Sequence, residues 1–188
     1  ILMRYLHREW TVDSHCIRPN EIVTIIYKSG EFQAPFSQQR LIQFYPDLKE
    51  KLIPDEQIIE SCEFVTLPDI DFMSKKVSYN LDLLAVDSTY FHFFEYPLVE
   101  GELRLNTPQD AILTKACAQH LFGKESAVGK VLKAFGKDIT IRGIIDQPAC
   151  KTILNFDILT SYQLTDWGRI GGGWLRIIPK QTDLDAIN

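Results

Sequence analysis

Apolar and polar positions alternate along "KVSYNLDLLAVD", residues 76–87. Val77, Tyr79, Leu81, Leu83 and Ala85 fall on one side, and Ser78, Asn80 and Asp82 on the other. That period of two predicts a half-buried strand. Shorter β-branched or apolar runs predict strands over residues 21–27, which end in the turn Ser29-Gly30, and over 56–67, 110–114, 155–162 and 174–179. Residues 130–146 read as a hairpin turning at Gly136-Lys137. Helical spacing appears over 36–52, where Leu41, Ile42, Phe44, Tyr45, Leu48 and Leu52 share a face and Pro46 breaks the run or starts a second helix. Thr114 is placed to cap a helix over 115–122, Asp87 or Ser88 a short one after it in sequence, and Thr182 or Asp183 one at the chain's end. The sum is an α+β fold with several short antiparallel strands.

Two features stand out from this pattern. The segment "DSTYFHFFEYPLVEG" gathers Tyr90, Phe91, Phe93, Phe94 and Tyr96. Such rings either dock a short helix on the core or form an exposed patch that meets a partner. Gly171, Gly172 and Gly173 in a row predict a tight turn or a flexible joint.

Composition narrows the classes. With 188 residues, 45% hydrophobic and 24% charged, the chain suffices for one domain or two small ones. A net charge of −5 without a basic cluster in the sequence argues against nucleic-acid binding. No apolar run reaches the length of a membrane helix. The chain starts at Ile1, so a piece of a longer protein is expected. Cys16, Cys62, Cys117 and Cys150 have no CxxC spacing; free buried thiols are expected over one or two disulfides. Cys117 and His120 lie three apart on the predicted helix, but a helical Cys-x-x-His without further ligands is a weak metal signal. Neither cofactor nor metal is expected.

Catalytic signals are sparse. No GxSxG or HExxH is present, His92 and His120 have no nucleophile arranged by sequence, and Asp69 and Asp71 near Pro68 read as solvated loop carboxylates. The run "LFGKESAVGKVL", residues 121–132, superficially resembles a phosphate-binding loop. That loop needs four residues between Gly and Gly-Lys, then Ser or Thr. Here five residues separate Gly123 from Gly129, and Val131 occupies the hydroxyl position. A helix end at Gly123 followed by a turn at Gly129 fits better.

Longer stretches carry more information. "AVDSTYFHFFEYPLVEGEL", "DAILTKACAQHLFGKESAVGKVL" and "ITIRGIIDQPACKTILNFDILTSY" resemble the extracytoplasmic domain of MacB-like/FtsX-like ABC transporter permeases of the Bacteroidetes type. The matching positions are Asp87, Phe91, Phe93, Phe94, Pro97, Leu98 and Gly101. They continue with Leu113, Thr114, Ala118, Leu121, Phe122, Gly123, Val128, Gly129 and Lys130, then Gly143, Asp146, Pro148, Phe156, Asp157, Leu159 and Ser161. Residues 5–27 resemble the family more loosely, and 30–75 only in outline.

The resemblance implies a porter-like α/β subdomain from residues 1–96 and 173–188, with a mostly β second subdomain inserted over 97–172. Gly101 and Gly171–Gly173 would then be hinge candidates between the two, and Tyr90, Phe91, Phe93 and Phe94 candidate docking or partner-contact rings. It implies a non-catalytic domain on the periplasmic side of the cell inner membrane, with the ATPase on a separate subunit or domain. Cytoplasmic ATP hydrolysis would be coupled to export or extraction of a peptide, lipoprotein or drug, or to control of envelope enzymes. A homodimer or paired permease and a periplasmic adaptor or lipoprotein are the implied partners. The alternative is a stand-alone envelope binding or adaptor module of the same fold, and an envelope hydrolase is a third reading.

The failed phosphate-loop spacing yields the first prediction. Calorimetric titration of ATP into the chain should show no binding; micromolar affinity that disappears in Lys130→Ala would contradict it.

Overall fold

β3 runs from Ile58 to Ser74, and its seventeen residues organise the molecule. The computed structural model describes residues 15–29, 31–148, 150, 152, 154–166 and 171–178. The start of the chain and the helix expected from Thr182 or Asp183 lie outside the described residues. β1 (Ile22–Ser29) and β2 (Phe32–Phe36) form a hairpin. α1 (Gln38–Phe44) is capped by Ser37 Oγ, which accepts from the Arg40 N–H at 3.2 Å, and a 3₁₀ turn at Pro46–Lys51 follows, so Pro46 does interrupt the helical run. Next come β3, β4 (Val77–Val86), the single-turn α2 (Tyr90–Phe93) and β5 (Leu98–Gly101). β6 (Asp110–Thr114) leads into α3 (Lys115–Phe122), capped by Thr114 as expected. β7 (Val131–Ala134), β8 (Lys137–Ile145), β9 (Ile158–Ser161) and β10 (Gly172–Ile177) complete the order.

All ten strands among the described residues join one mixed sheet, ordered β2-β1-β10-β3-β4-β9-β6-β8-β5, with β7 pairing to both β8 and β3. β4–β9 and β6–β8 are parallel, and the other pairs are antiparallel. Through β7 the path β3-β4-β9-β6-β8-β7 returns to β3, closed by the single register pair Met73↔Lys133. The strands from residues 1–96 and 173–188 lie together in this order, and those from 97–172 lie together beside them. The two groups meet along β4–β9 and at the β7 bridge.

Each strand of the closed ring sends side chains to one buried cluster with α3. Phe72, Leu81, Leu83, Leu113, Leu132, Ile139, Ile141 and Ile158 belong to it. A second cluster covers the opposite face with Leu84, Val86, Ile112, Ile145, Leu159 and the α2 aromatics. β4 is thus half-buried only at its start. Leu83 to Val86 are buried without interruption, because both faces of the sheet are covered there.

β3 extends well beyond the expected residue 67, since Pro68 sits at a bulge. Register shifts between Leu67 and Ile70, and Asp69 takes φ 54°. A bulge tolerates the missing proline donor. Asp69 and Asp71 therefore belong to a strand rather than to a loop; the Asp69 N–H donates to Asp82 Oδ1 at 3.2 Å. The β7–β8 hairpin turns at Phe135-Gly136, both with positive φ, one residue earlier than expected.

The aromatic segment seats α2. Tyr90 and Phe93 are fully buried, Phe94 is nearly so and Phe91 is half-buried. Phe94 meets Trp174 at 4.3 Å between ring centroids, and the Tyr90 and Tyr96 hydroxyls hydrogen-bond at 2.7 Å. The candidate hinge glycines lie at close approaches. A Cβ on Gly101 would run into the Arg142 carbonyl, and one on Gly173 would stand 2.8 Å from Ser37 Cα. One on Gly171 would stand 2.8 Å from the Tyr162 hydroxyl. Gly172 and Gly173 are paired within β10, opposite Phe64 and Glu63 of β3.

Asp110 ties the start of β6 to the loop before it and to β8. Its carboxylate accepts from the Asn106 and Thr107 N–H groups, each at 2.8 Å, and from Arg142 Nε at 2.7 Å. Burial raises its pKa, but the hydrogen bonds from Arg142 and Thr107 outweigh that and leave it below the ordinary carboxylate value.

Two predictions follow from this packing. Phe93→Ala and Phe94→Ala should each destabilise by about 3–5 kcal/mol and Phe91→Ala by clearly less, as read from urea unfolding; equal melting of all three with the parent would put the rings outside the core. Asp110 contributes stability that is complete above its unfolded pKa of about 3.9 and is lost as pH falls through the lower folded value. Asp110→Asn should therefore destabilise at pH 7 and flatten the acid limb of a pH–stability curve, whereas an unchanged acid limb would refute that assignment.

Candidate functional site

The register of the sheet separates two ends. At one, Ile22↔Arg176 and Ile177↔Ile58 bring the chain's incoming and outgoing segments side by side. From there β3 climbs to Ser74. At about 3.3 Å per residue its seventeen residues place the β3–β4 turn roughly 50 Å away. That turn is Lys75-Lys76, with Lys75 at φ 57°.

A groove of about 460 Å³ lies beside this far turn. Ser74, Val77 and Tyr79 form its hairpin wall, Leu121 and Phe122 its α3 wall, and Glu125, Lys130 and Val131 the remaining side. The alternation of β4 explains the hairpin wall. Val77 and Tyr79 continue the inward row of Leu81 and Leu83 past the point where the core ends.

The run that resembled a phosphate loop builds the opposite wall. Gly123, at φ 64°, ends α3 and donates to the Gln119 carbonyl at 2.9 Å. Ala127 is fully buried and anchors the turn, and the Gly129 N–H donates to the Ile141 carbonyl at 2.8 Å. Lys130 then reaches back over the Phe122 ring, 4.4 Å from its centroid, and binds Glu125 at 2.6 Å. Lys130 thus braces the turn through a cation–π contact and an ion pair. Its hydrogen bond and charge hold the Glu125 carboxyl below the ordinary range.

This end is both basic and apolar. Lys75, Lys76, Lys124, Lys130 and Lys133 come from three separate sequence stretches; Lys130 pairs with Glu125 and Lys133 with Asp138, and Glu100 meets the same turn by accepting from Ser126 Oγ. Met73, Val77, Val131 and Phe135 are 41–52% exposed around the same hairpins. The sequence shows no basic cluster, because these lysines become neighbours only when β3–β4 and β7–β8 meet at Met73↔Lys133.

Other sequence-marked residues take structural places. His92 Nδ1 lies 2.6 Å from Glu60, which also binds Arg176 at 3.1 Å, and Arg176 stacks over Phe93. His120 stands edge-on to Tyr79 on the exposed side of α3, while Cys117 points to the core, so the pair do not converge. The cysteines are free thiols. Burial pushes Cys62 far up, with Asp87 adding to it, and pushes Cys117 up to about 12, so both are held as neutral thiols. Cys150 Sγ lies 3.4 Å from His15 Nδ1.

Comparison with known proteins agrees with this architecture. Residues 20–184 match the MacB-like periplasmic core domain family. Among solved structures, the chain resembles a permease-type domain from Porphyromonas gingivalis with TM-score 0.65 and 15% identity, over 89% of this chain and 79% of that one. It also resembles the periplasmic region of MacB from Actinobacillus actinomycetemcomitans, with TM-score 0.63 and 15% identity over 88% and 78%. The extracellular domain of the noncanonic ABC-type transporter YknZ from Gram-positive bacteria matches with TM-score 0.58 and 12% identity over 86% and 84%. A search of curated protein sequences returned no match. The family match spans most of the chain, and the chain belongs to the MacB-like periplasmic core domain family, the extracytoplasmic domain of ABC transporter permeases.

Proposed function

We propose that this domain couples ATP hydrolysis on a separate cytoplasmic subunit or domain to work outside the inner membrane. That work is export or extraction of a peptide, lipoprotein or drug, or control of envelope enzymes. The observation that carries the reading is the polarity of the molecule. The start of β1 and the end of β10 are neighbours at Ile22↔Arg176, the end that would face the membrane in this reading, and an open groove lies at the other. A domain tethered by adjacent segments transmits their displacement through its sheet, since close-packed interiors have low compressibility. Pairing of two permeases, and contact with an adaptor or lipoprotein, are part of the same proposal.

The division into 1–96 with 173–188 and an inserted 97–172 fits this role. It is supported by the sheet order, which keeps the strands of each piece contiguous. Relative motion of the two would work on the β4–β9 ladder and the Met73–Lys133 bridge. The joints near Gly101 and Gly171–Gly173 would carry any bending at the chain crossings between them.

The test uses the full-length permease with its ATPase, in cells and then in nanodiscs, lacking native cysteines and carrying Lys76→Cys. A membrane-impermeant maleimide should label intact spheroplasts, and the labelling rate in nanodiscs should change when ATP is trapped with vanadate. Labelling only after permeabilisation would defeat the location. Identical rates with and without trapped nucleotide would defeat the coupling.

A further inference from the structure

We infer that the groove beside the β3–β4 turn is a docking site for an acidic amphipathic segment of a partner polypeptide. Its apolar side chains would enter between Val77, Tyr79, Phe122 and Val131, and its carboxylates would meet the lysines around the rim.

The floor sets the first requirement. Val77 and Val131, which both line the groove, are 52% and 44% exposed, and Tyr79 and Phe122 are only partly covered by the core beneath. Covering such side chains gains about 25 cal/mol per Å² of apolar surface removed from water. Isolated exposed apolar residues need no explanation, but several lining one concavity mark an interaction surface.

Charge sets the second requirement and selects the occupant. Lys130 and Lys133 are paired with Glu125 and Asp138, at 2.6 and 3.5 Å. Lys75 lines the groove, and Lys76 and Lys124, exposed and next in sequence to lining residues Lys75 and Glu125, add charge beyond those two pairs. The chain as a whole is −5, so a basic end stands against an acidic remainder. Asp71, hydrogen-bonded by Ser78, and Glu100, hydrogen-bonded by Ser126, lie outside the groove lining, as do Lys76, Lys124 and Lys133, and the lysines of this end outnumber its carboxylates. A basic rim around an apolar floor attracts a segment with the inverse pattern and repels a basic one. A short amphipathic helix laid along a groove meets these needs, its apolar side chains recurring every three or four residues and carboxylates flanking them. The brace formed by Phe122, Glu125 and Lys130 pre-shapes one wall, which lowers the ordering cost of binding.

This inference rests on the surface alone and not on ATP coupling, so peptide binding and nucleotide-dependent labelling can fail independently. The probe is a fluorescent synthetic helical peptide with a leucine stripe flanked by glutamates, measured by anisotropy on the full 188-residue chain. Control peptides replace glutamate by glutamine or by lysine. The glutamate peptide should bind, lose affinity as salt is raised, and bind about tenfold or more weakly to Lys75→Glu/Lys76→Glu/Lys124→Glu. Val131→Asp should also abolish binding. The lysine peptide should bind only the charge-reversed variant. These substitutions are at exposed positions, and circular dichroism would verify that each variant is folded. Absence of glutamate-peptide binding, or binding that the charge-reversed variant leaves unchanged, would overturn the inference. So would equal binding of the glutamine peptide, preferential binding of phosphatidylglycerol vesicles, or concentration-dependent self-association of the chain that Val131→Asp abolishes.

Discussion

A single β3–β7 register pair, Met73↔Lys133, decides the character of the far half of the molecule. Without it the strand order is a long open sheet ending in β5. With it six strands form a ring, and their inward rows share one buried cluster with α3. Closure removes strand edges that would otherwise present unpaired backbone groups. β7 offers only four residues, so the seam is short, and the extended hairpins on either side of it project past the core. The groove and the lysine-bearing turns are products of that overhang.

β3 makes the closure reachable. It pairs with β10 over its first half, with β4 along its length and with β7 near its end. The bulge at Pro68 keeps it continuous where a proline in a regular central ladder would break it. One strand thereby connects the Ile22↔Arg176 end to the end where the groove lies. In the proposed coupling this strand would serve as the mechanical axis, and the β4–β9 ladder joins it to the strands of residues 97–172.

The brace at Phe122, Glu125 and Lys130 shows how a misleading motif acquires meaning. Gly-rich runs with a lysine serve phosphate only when consecutive N–H groups converge on one point. Here the Gly129 N–H is consumed by Ile141, and the lysine lies over a ring. The same residues form a wall, and the groove's charge comes from turns distant in sequence.

Local rules were enough for several features. The period of two placed β4, Thr114 announced its helix, Pro46 interrupted a helical run, and the longer residue runs pointed to the family. These depend on backbone preferences and on side chains a few residues apart, which the chain order records directly. It did not show that β4 is buried on both faces beyond Asp82, that Pro68 lies within a strand, or that five lysines share one end. Those depend on which strands become neighbours across long separations. Met73 and Lys133 are sixty residues apart in sequence and adjacent in the sheet. Burial, bulges and surface charge are properties of such pairings, and only tertiary structure creates them.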